Sequence, residues 1–90
     1  MRKAFEIEIT KDGRLRTSGL VDAGLHELSM RDPGEHLREV ACDLLRRTAA
    51  YQICEDDPFE DGREMIDGSD HVRMRRAFDG SLEVVVAKSH

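Results

Sequence analysis

Between Glu55 and Asp70 the chain carries eight carboxylates and one basic residue, Arg63, a local net charge of −7 in a 90-residue protein whose total is −5. Carboxylates at such density could bind a hard cation or share a proton for acid–base chemistry. A twelve-residue calcium loop begun at Asp57 puts Asp61 at position five and Gly62 at position six. It also puts Phe59 at position three and Gly68 at position twelve, where a bidentate glutamate is required. The template fails at the positions that decide it. Close like charges can raise one carboxyl pKa, but exposed carboxylates are screened by water. Cys42, Cys54, His26, His36, His71 and His90 show no paired Cys or His at zinc-ligand spacing.

Nucleophilic chemistry fares no better. Cys42 borders an apolar helical stripe and reads as a small buried hydrophobe. Cys54 falls at a helix C-terminus beside Glu55, Asp56 and Asp57, where the field opposes a thiolate. No phosphate-binding glycine loop and no serine elbow is present. The sequence therefore predicts no enzymatic activity, with no catalytic residue, metal or cofactor. Two binding surfaces are left. Asp56, Asp57, Glu60 and Asp61, with Phe59 as an exposed apolar anchor, could steer and hold a basic partner protein. A second candidate is a set of arginines on one sheet face, Arg14, Arg16, Arg73 and Arg75, which could contact nucleic-acid phosphates. Single-strand binding on a sheet needs stacking aromatics, and Phe5, Tyr51, Phe59 and Phe78 are all expected elsewhere: Phe5 and Phe78 toward the helix, Tyr51 on it, Phe59 in the acidic loop. Cross-strand ion pairs such as Glu8 with Arg16 account for those arginines more simply.

The elements that must position these residues follow from periodicity. Residues 4–10 alternate, with Phe5, Ile7 and Ile9 on one side and Glu6, Glu8 and Thr10 on the other, as a half-buried strand does. Lys11-Asp12-Gly13 supplies a three-residue turn with Gly13 left-handed, which pairs Ile9 with Leu15 and Glu8 with Arg16. Residues 20–30 place Leu20, Val21, Gly24, Leu25 and Leu28 at helical spacing and predict a short helix. Asp32-Pro33-Gly34-Glu35 reads as a capped helix start, followed by an amphipathic helix from 33 to about 53 with Leu37, Val40, Ala41, Leu44, Leu45, Thr48, Tyr51 and Gln52 inward. Residues 55–70, broken by Pro58, Gly62 and Gly68, read as a surface loop. The stretch 71–88 forms a second hairpin around Asp79-Gly80. An odd-length loop sets Val72, Met74 and Phe78 on the same face as Leu82, Val84 and Val86 and strands Arg76 on the buried side.

Assembled, these elements give a single α+β domain over 1–90 in the order ββ(α)αββ. Two hairpins form a four-stranded sheet with both helices on one face. The other face exposes Glu6, Glu8, Arg14, Arg16, His71, Arg73, Arg75 and Glu83. Leu, Ile, Val and Phe total 21 residues, so the core is thin, and a partner or a second copy making a homodimer is a reasonable way to add stability. No apolar run approaches the roughly 20 residues a membrane span needs. The first ten residues do not have the form of a signal peptide. Cys42 and Cys54, about 18 Å apart on one helix, are expected as free thiols in a cytoplasmic setting.

Overall fold

The computed structural model describes residues 5–67 and 70–87. Ala4 and Lys88, outer ends of two expected strands, and Gly68 of the acidic segment lie outside them. Six strands, β1 (Glu6–Ile9), β2 (Arg14–Ser18), β3 (Leu28–Arg31), β4 (Glu64–Asp67), β5 (Asp70–Arg76) and β6 (Leu82–Ala87), accompany one α-helix, α1 (Arg38–Glu55), which lies between β3 and β4 in the chain. The strands form one sheet in the order β1-β2-β3-β6-β5-β4. All neighbours are antiparallel except β3 and β6, which run parallel. The fold is mixed α+β, but the expected four-stranded sheet and ββ(α)αββ order are corrected to six strands and βββαβββ.

The added strands come from two segments, one whose helical spacing is misleading and one read as loop because it has no period. In residues 20–30, Gly24 adopts a left-handed φ of 77° and stops the helix after one 3-10 turn, Leu20–Ala23. The chain then extends, so Leu20, Leu25 and Leu28 reach the core from three different conformations. In the acidic segment, Glu64 stands opposite Arg73 and Met65 opposite Val72, so a cross-strand charge pair and an apolar pair make a strand out of residues read as loop.

The helix begins later than its capping motif implies. Asp32 Oδ1 accepts the Gly34 N–H at 3.0 Å, closing an Asx turn, and Gly34 sits at φ 105°, a conformation no α-helix contains. Arg38 then binds Asp32 through Nε and Nη2, and regular helix starts there. At the far end Asp56 turns left-handed at φ 53° and closes α1 by donating its N–H to the Gln52 and Ile53 carbonyls. Ala41, Leu44, Leu45, Thr48, Ala49 and Gln52 face the sheet. Leu37, Val40 and Tyr51, expected inward, are exposed along one flank, because the helix seats itself on the rows containing its two buried alanines, Ala41 and Ala49.

Both hairpin registers agree with the sequence. Ile9 pairs with Leu15 and Glu8 with Arg16, with Gly13 at φ 79°. Met74 pairs with Val84 and Val72 with Val86, and Ala77 N–H closes the odd loop onto the Ser81 carbonyl at 2.8 Å. Two aromatic assignments are corrected. Phe78 occupies the tip of this loop and is 94% exposed instead of facing the helix. Phe59, expected as an exposed anchor, is 1% exposed and belongs to the core with Leu15, Leu28, Leu45, Met74 and Leu82. Arg76 escapes the burial its side implies because β5 ends there and leaves its side chain exposed.

These positions give opposite expectations for two phenylalanines. Phe59→Ala should lower the unfolding free energy by about 3–5 kcal/mol in urea titration, the usual cost of emptying an aromatic core site. Phe78→Ala should leave it within about 0.5 kcal/mol of the parent.

Candidate functional site

The acidic segment is an anchored turn and not a free ribbon. Buried Gln52 on α1 supplies its first tether: Oε1 accepts the Phe59 N–H at 3.1 Å and the His26 N–H at 3.2 Å, while Nε2 donates to the His26 carbonyl at 3.0 Å. Arg63 supplies a second, pairing with both carboxylate oxygens of Glu55 at 2.8 and 3.1 Å and lying 5.1 Å above the Phe59 ring. A third joins the turn to the sheet. Asp61 Oδ1 accepts the Arg76 N–H at 3.0 Å, and Gly62 N–H reaches the Met74 carbonyl at 2.8 Å.

Asp56, Asp57, Glu60 and Asp61 remain exposed on this scaffold. Asp57, Glu60 and Asp61 share a surface hollow with His26 and Arg76. Among the described residues no ion pair joins Asp57 or Glu60 to a basic side chain. The sequence-predicted site residues are thus brought together with one exception: Phe59 points inward and holds the turn down. Phe78 takes the exposed aromatic position. It lies two residues beyond Arg76, whose N–H is bound by Asp61. The signal was Arg76 itself, since an arginine on the apolar side of an alternating strand marks where the strand leaves the sheet, and the next aromatic goes with the turn.

The open sheet face carries Glu6, Glu8, Arg14, Arg16, His71, Arg73, Arg75 and Glu83 together, as the register requires. Its arginines are largely committed within the chain. Glu83 receives Arg75 at 2.6 Å and Arg14 at 3.3 Å. Arg14 also donates to Ser29 Oγ at 2.9 Å, which meets Ser81 Oγ at 2.8 Å, and Ser81 donates in turn to Asp79 at 2.7 Å. Arg16 keeps its register opposite Glu8 but directs its guanidinium to Asp79, 3.5 Å away, in place of the expected pair with Glu8. Arg73 lies opposite Glu64. No aromatic side chain occupies this face among the described residues. Ser29 and Ser81, both buried, were not singled out by sequence reasoning, because neither stands in a pattern that distinguishes a network serine from a turn serine.

Among the described residues no three His, Cys, Asp or Glu side chains are grouped to hold an ion. Cys42 is half-buried, Cys54 is exposed, and both are free.

Two carboxyls of the face network have perturbed acidity. Arg75, then Arg14, holds Glu83 below its ordinary value of 4.5, and the Ser81 hydroxyl and N–H hold Asp79 below 3.8 with help from Arg16. A carboxyl more acidic in the folded than in the unfolded chain favours folding while it is ionised, and that contribution disappears as pH falls through its folded value. The melting temperature should therefore hold from about pH 7 to about 5.5 and decline on further acidification. Glu83→Gln should shrink that decline, a difference measurable by calorimetry across pH. The chain matches no protein-family model, no curated protein and no solved structure.

Proposed function

We propose that this chain is a non-catalytic protein-binding module of the cytoplasm. It docks a partner surface of basic and apolar character against the end of the sheet where the acidic turn and the β5–β6 hairpin tip lie. The observation that carries this reading is Phe78, 94% exposed at a hairpin tip two residues beyond Arg76, whose N–H is hydrogen-bonded to Asp61. An exposed aromatic is a common energetic anchor of protein interfaces. Asp61, bound to the strand end that leads to Phe78, together with Asp56, Asp57 and Glu60 supplies a field that accelerates encounter with a cationic surface. Gln52, Arg63 and the β5 contacts already fix the turn, so little loop-ordering entropy remains to be lost on binding. Phe59 contributes from the core by positioning the carboxylates around it.

Nucleic-acid binding by Arg14, Arg16, Arg73 and Arg75 has weaker support. Glu83 and Asp79 occupy three of those four arginines, and the face offers no base-stacking ring.

Affinity capture with quantitative mass spectrometry tests the proposal. The parent chain should retain at least one protein that is lost both from Asp57→Asn/Glu60→Gln and from Phe78→Ser, and added salt should weaken its capture. A partner set unchanged in both variants defeats the reading. Salt-sensitive binding of single-stranded RNA or DNA, abolished by Arg73→Glu/Arg75→Glu, would replace it with the nucleic-acid alternative.

A further inference from the structure

The two outer strands of the sheet, β1 and β4, are both acidic, and the strands just inside them are both basic. On the open face Glu8 of β1 is opposite Arg16 of β2, and Glu64 of β4 is opposite Arg73 of β5. On the core face Ile9 is opposite Leu15 and Met65 is opposite Val72. β1 therefore alternates carboxylate and apolar residues beside a strand that begins arginine, leucine, arginine, and Glu64 and Met65 repeat that arrangement at the start of β4.

Only one side of β1 is satisfied in this way. Thr10 N–H donates to the Arg14 carbonyl at 2.8 Å, which makes Thr10 and Arg14 a hydrogen-bonded pair of the antiparallel ladder. Alternation along the ladder makes Glu8–Arg16 and Glu6–Ser18 the next such pairs, and turns the N–H and C=O groups of Ile7 and Ile9 away from β2. β1 ends the sheet, so those groups face outward. Ile9 is 55% exposed and Ile7 half-buried, because one helix about 10 Å wide cannot cover six strands spaced ~4.8 Å apart. Glu6 and Glu8 are exposed on the opposite face. β1 contains no proline and no bulge; what guards this edge is its short length and its two glutamates, which repel an acidic strand and attract a basic one.

A second copy of the chain is a poor occupant. Antiparallel pairing of two β1 strands through Ile7 sets Glu6 against the other copy's Glu8, or Glu8 against itself, and like charges directly opposite are destabilising. Pairing with a copy's β4 brings Glu64 to the same edge. The charge pattern excludes the chain's own edges and favours the kind of strand that β2 already is.

We infer that the outer edge of β1 is a strand-addition site for an extended segment of another protein that alternates lysine or arginine with apolar residues. The basic side chains lie beside Glu6 and Glu8, the apolar ones beside Ile7 and Ile9, and the backbone ladder runs to the outward groups of the two isoleucines. These residues are separate from the acidic turn and Phe78, so the inference stands independently of the interface proposed above.

The test uses a capped, fluorescein-labelled seven-residue peptide that alternates lysine and valine, with fluorescence anisotropy as the readout. In the proposed register the valines exchange hydrogen bonds with Ile7 and Ile9. N-methylation of the valines should weaken binding at least roughly tenfold, whereas N-methylation of the lysines leaves it within about twofold. These arms need no change to the protein. Glu6→Lys/Glu8→Lys should also weaken binding roughly tenfold, and Asp57→Asn/Glu60→Gln should leave it unchanged. No binding by the unmethylated peptide, equal effects of the two methylation patterns, or full binding by the Glu6→Lys/Glu8→Lys chain overturns the inference. So does a dimer in sedimentation that Ile9→Pro dissociates, since the edge is then occupied by a second copy.

Discussion

The parallel seam between β3 and β6 is the constraint on which the rest of this fold depends. It joins two three-stranded antiparallel units, β1-β2-β3 and β6-β5-β4, through only Leu28–Leu82 and Ser29–Glu83, extended by Leu82 N–H to the Glu27 carbonyl at 2.9 Å. So short a ladder, the slightly weaker parallel kind, needs support from both faces. On one face Leu28 and Leu82 are buried in the core cluster with the α1 side chains. On the other, hydrogen bonds and ion pairs run from Arg75 through Glu83, Arg14, Ser29 and Ser81 to Asp79, crossing β5, β6, β3 and β2. The arginines that look available for a ligand in the sequence are therefore the fastening of the sheet.

Two further buried polar side chains hold the end of the molecule where the candidate interface lies. The Glu27 carboxylate accepts the Thr17 hydroxyl at 2.8 Å and the N–H groups of Gly19, Leu20 and Val21 at 3.0–3.2 Å, which gathers the 3-10 turn onto β2. Gln52 binds both main-chain groups of His26 and the N–H of Phe59, tying the start of β3 and the acidic turn to the last turn of α1. Every polar atom these side chains bury has a partner, so the thin apolar core is combined with hydrogen bonds that lose most of their value if any one partner is removed. The exposed carboxylates and Phe78 owe their fixed positions to these clamps.

Charge is sorted by strand position as well as by segment. Acidic outer strands flank basic inner ones, which makes the two edges repel each other in copies of the same chain. The concentration of negative charge in residues 55–70 therefore has two structural consequences. Its first half forms an anchored, exposed turn, and its second half supplies the carboxylate that β4 sets against Arg73.

The sequence by itself determined both hairpins, their registers, the long helix, and the sorting of charged residues onto one sheet face, because each depends on contacts a few residues apart and leaves a period or turn signature. The tight Lys11-Asp12-Gly13 loop alone suffices to pair Ile9 with Leu15. Only the tertiary structure decided which segments complete the sheet, that Phe59 is inside and Phe78 outside, and where the face arginines find their partners. Residues 28–31 become a strand because β2 and, from more than fifty residues away, β6 offer backbone hydrogen bonds, whereas 64–67 do so against the adjoining β5, where Arg73 stands opposite Glu64. Asp79 outcompetes Glu8 for Arg16 because a turn more than sixty residues away is folded beside it. Such choices are settled by which surfaces meet across the seam, and nothing in a local window of sequence records that meeting.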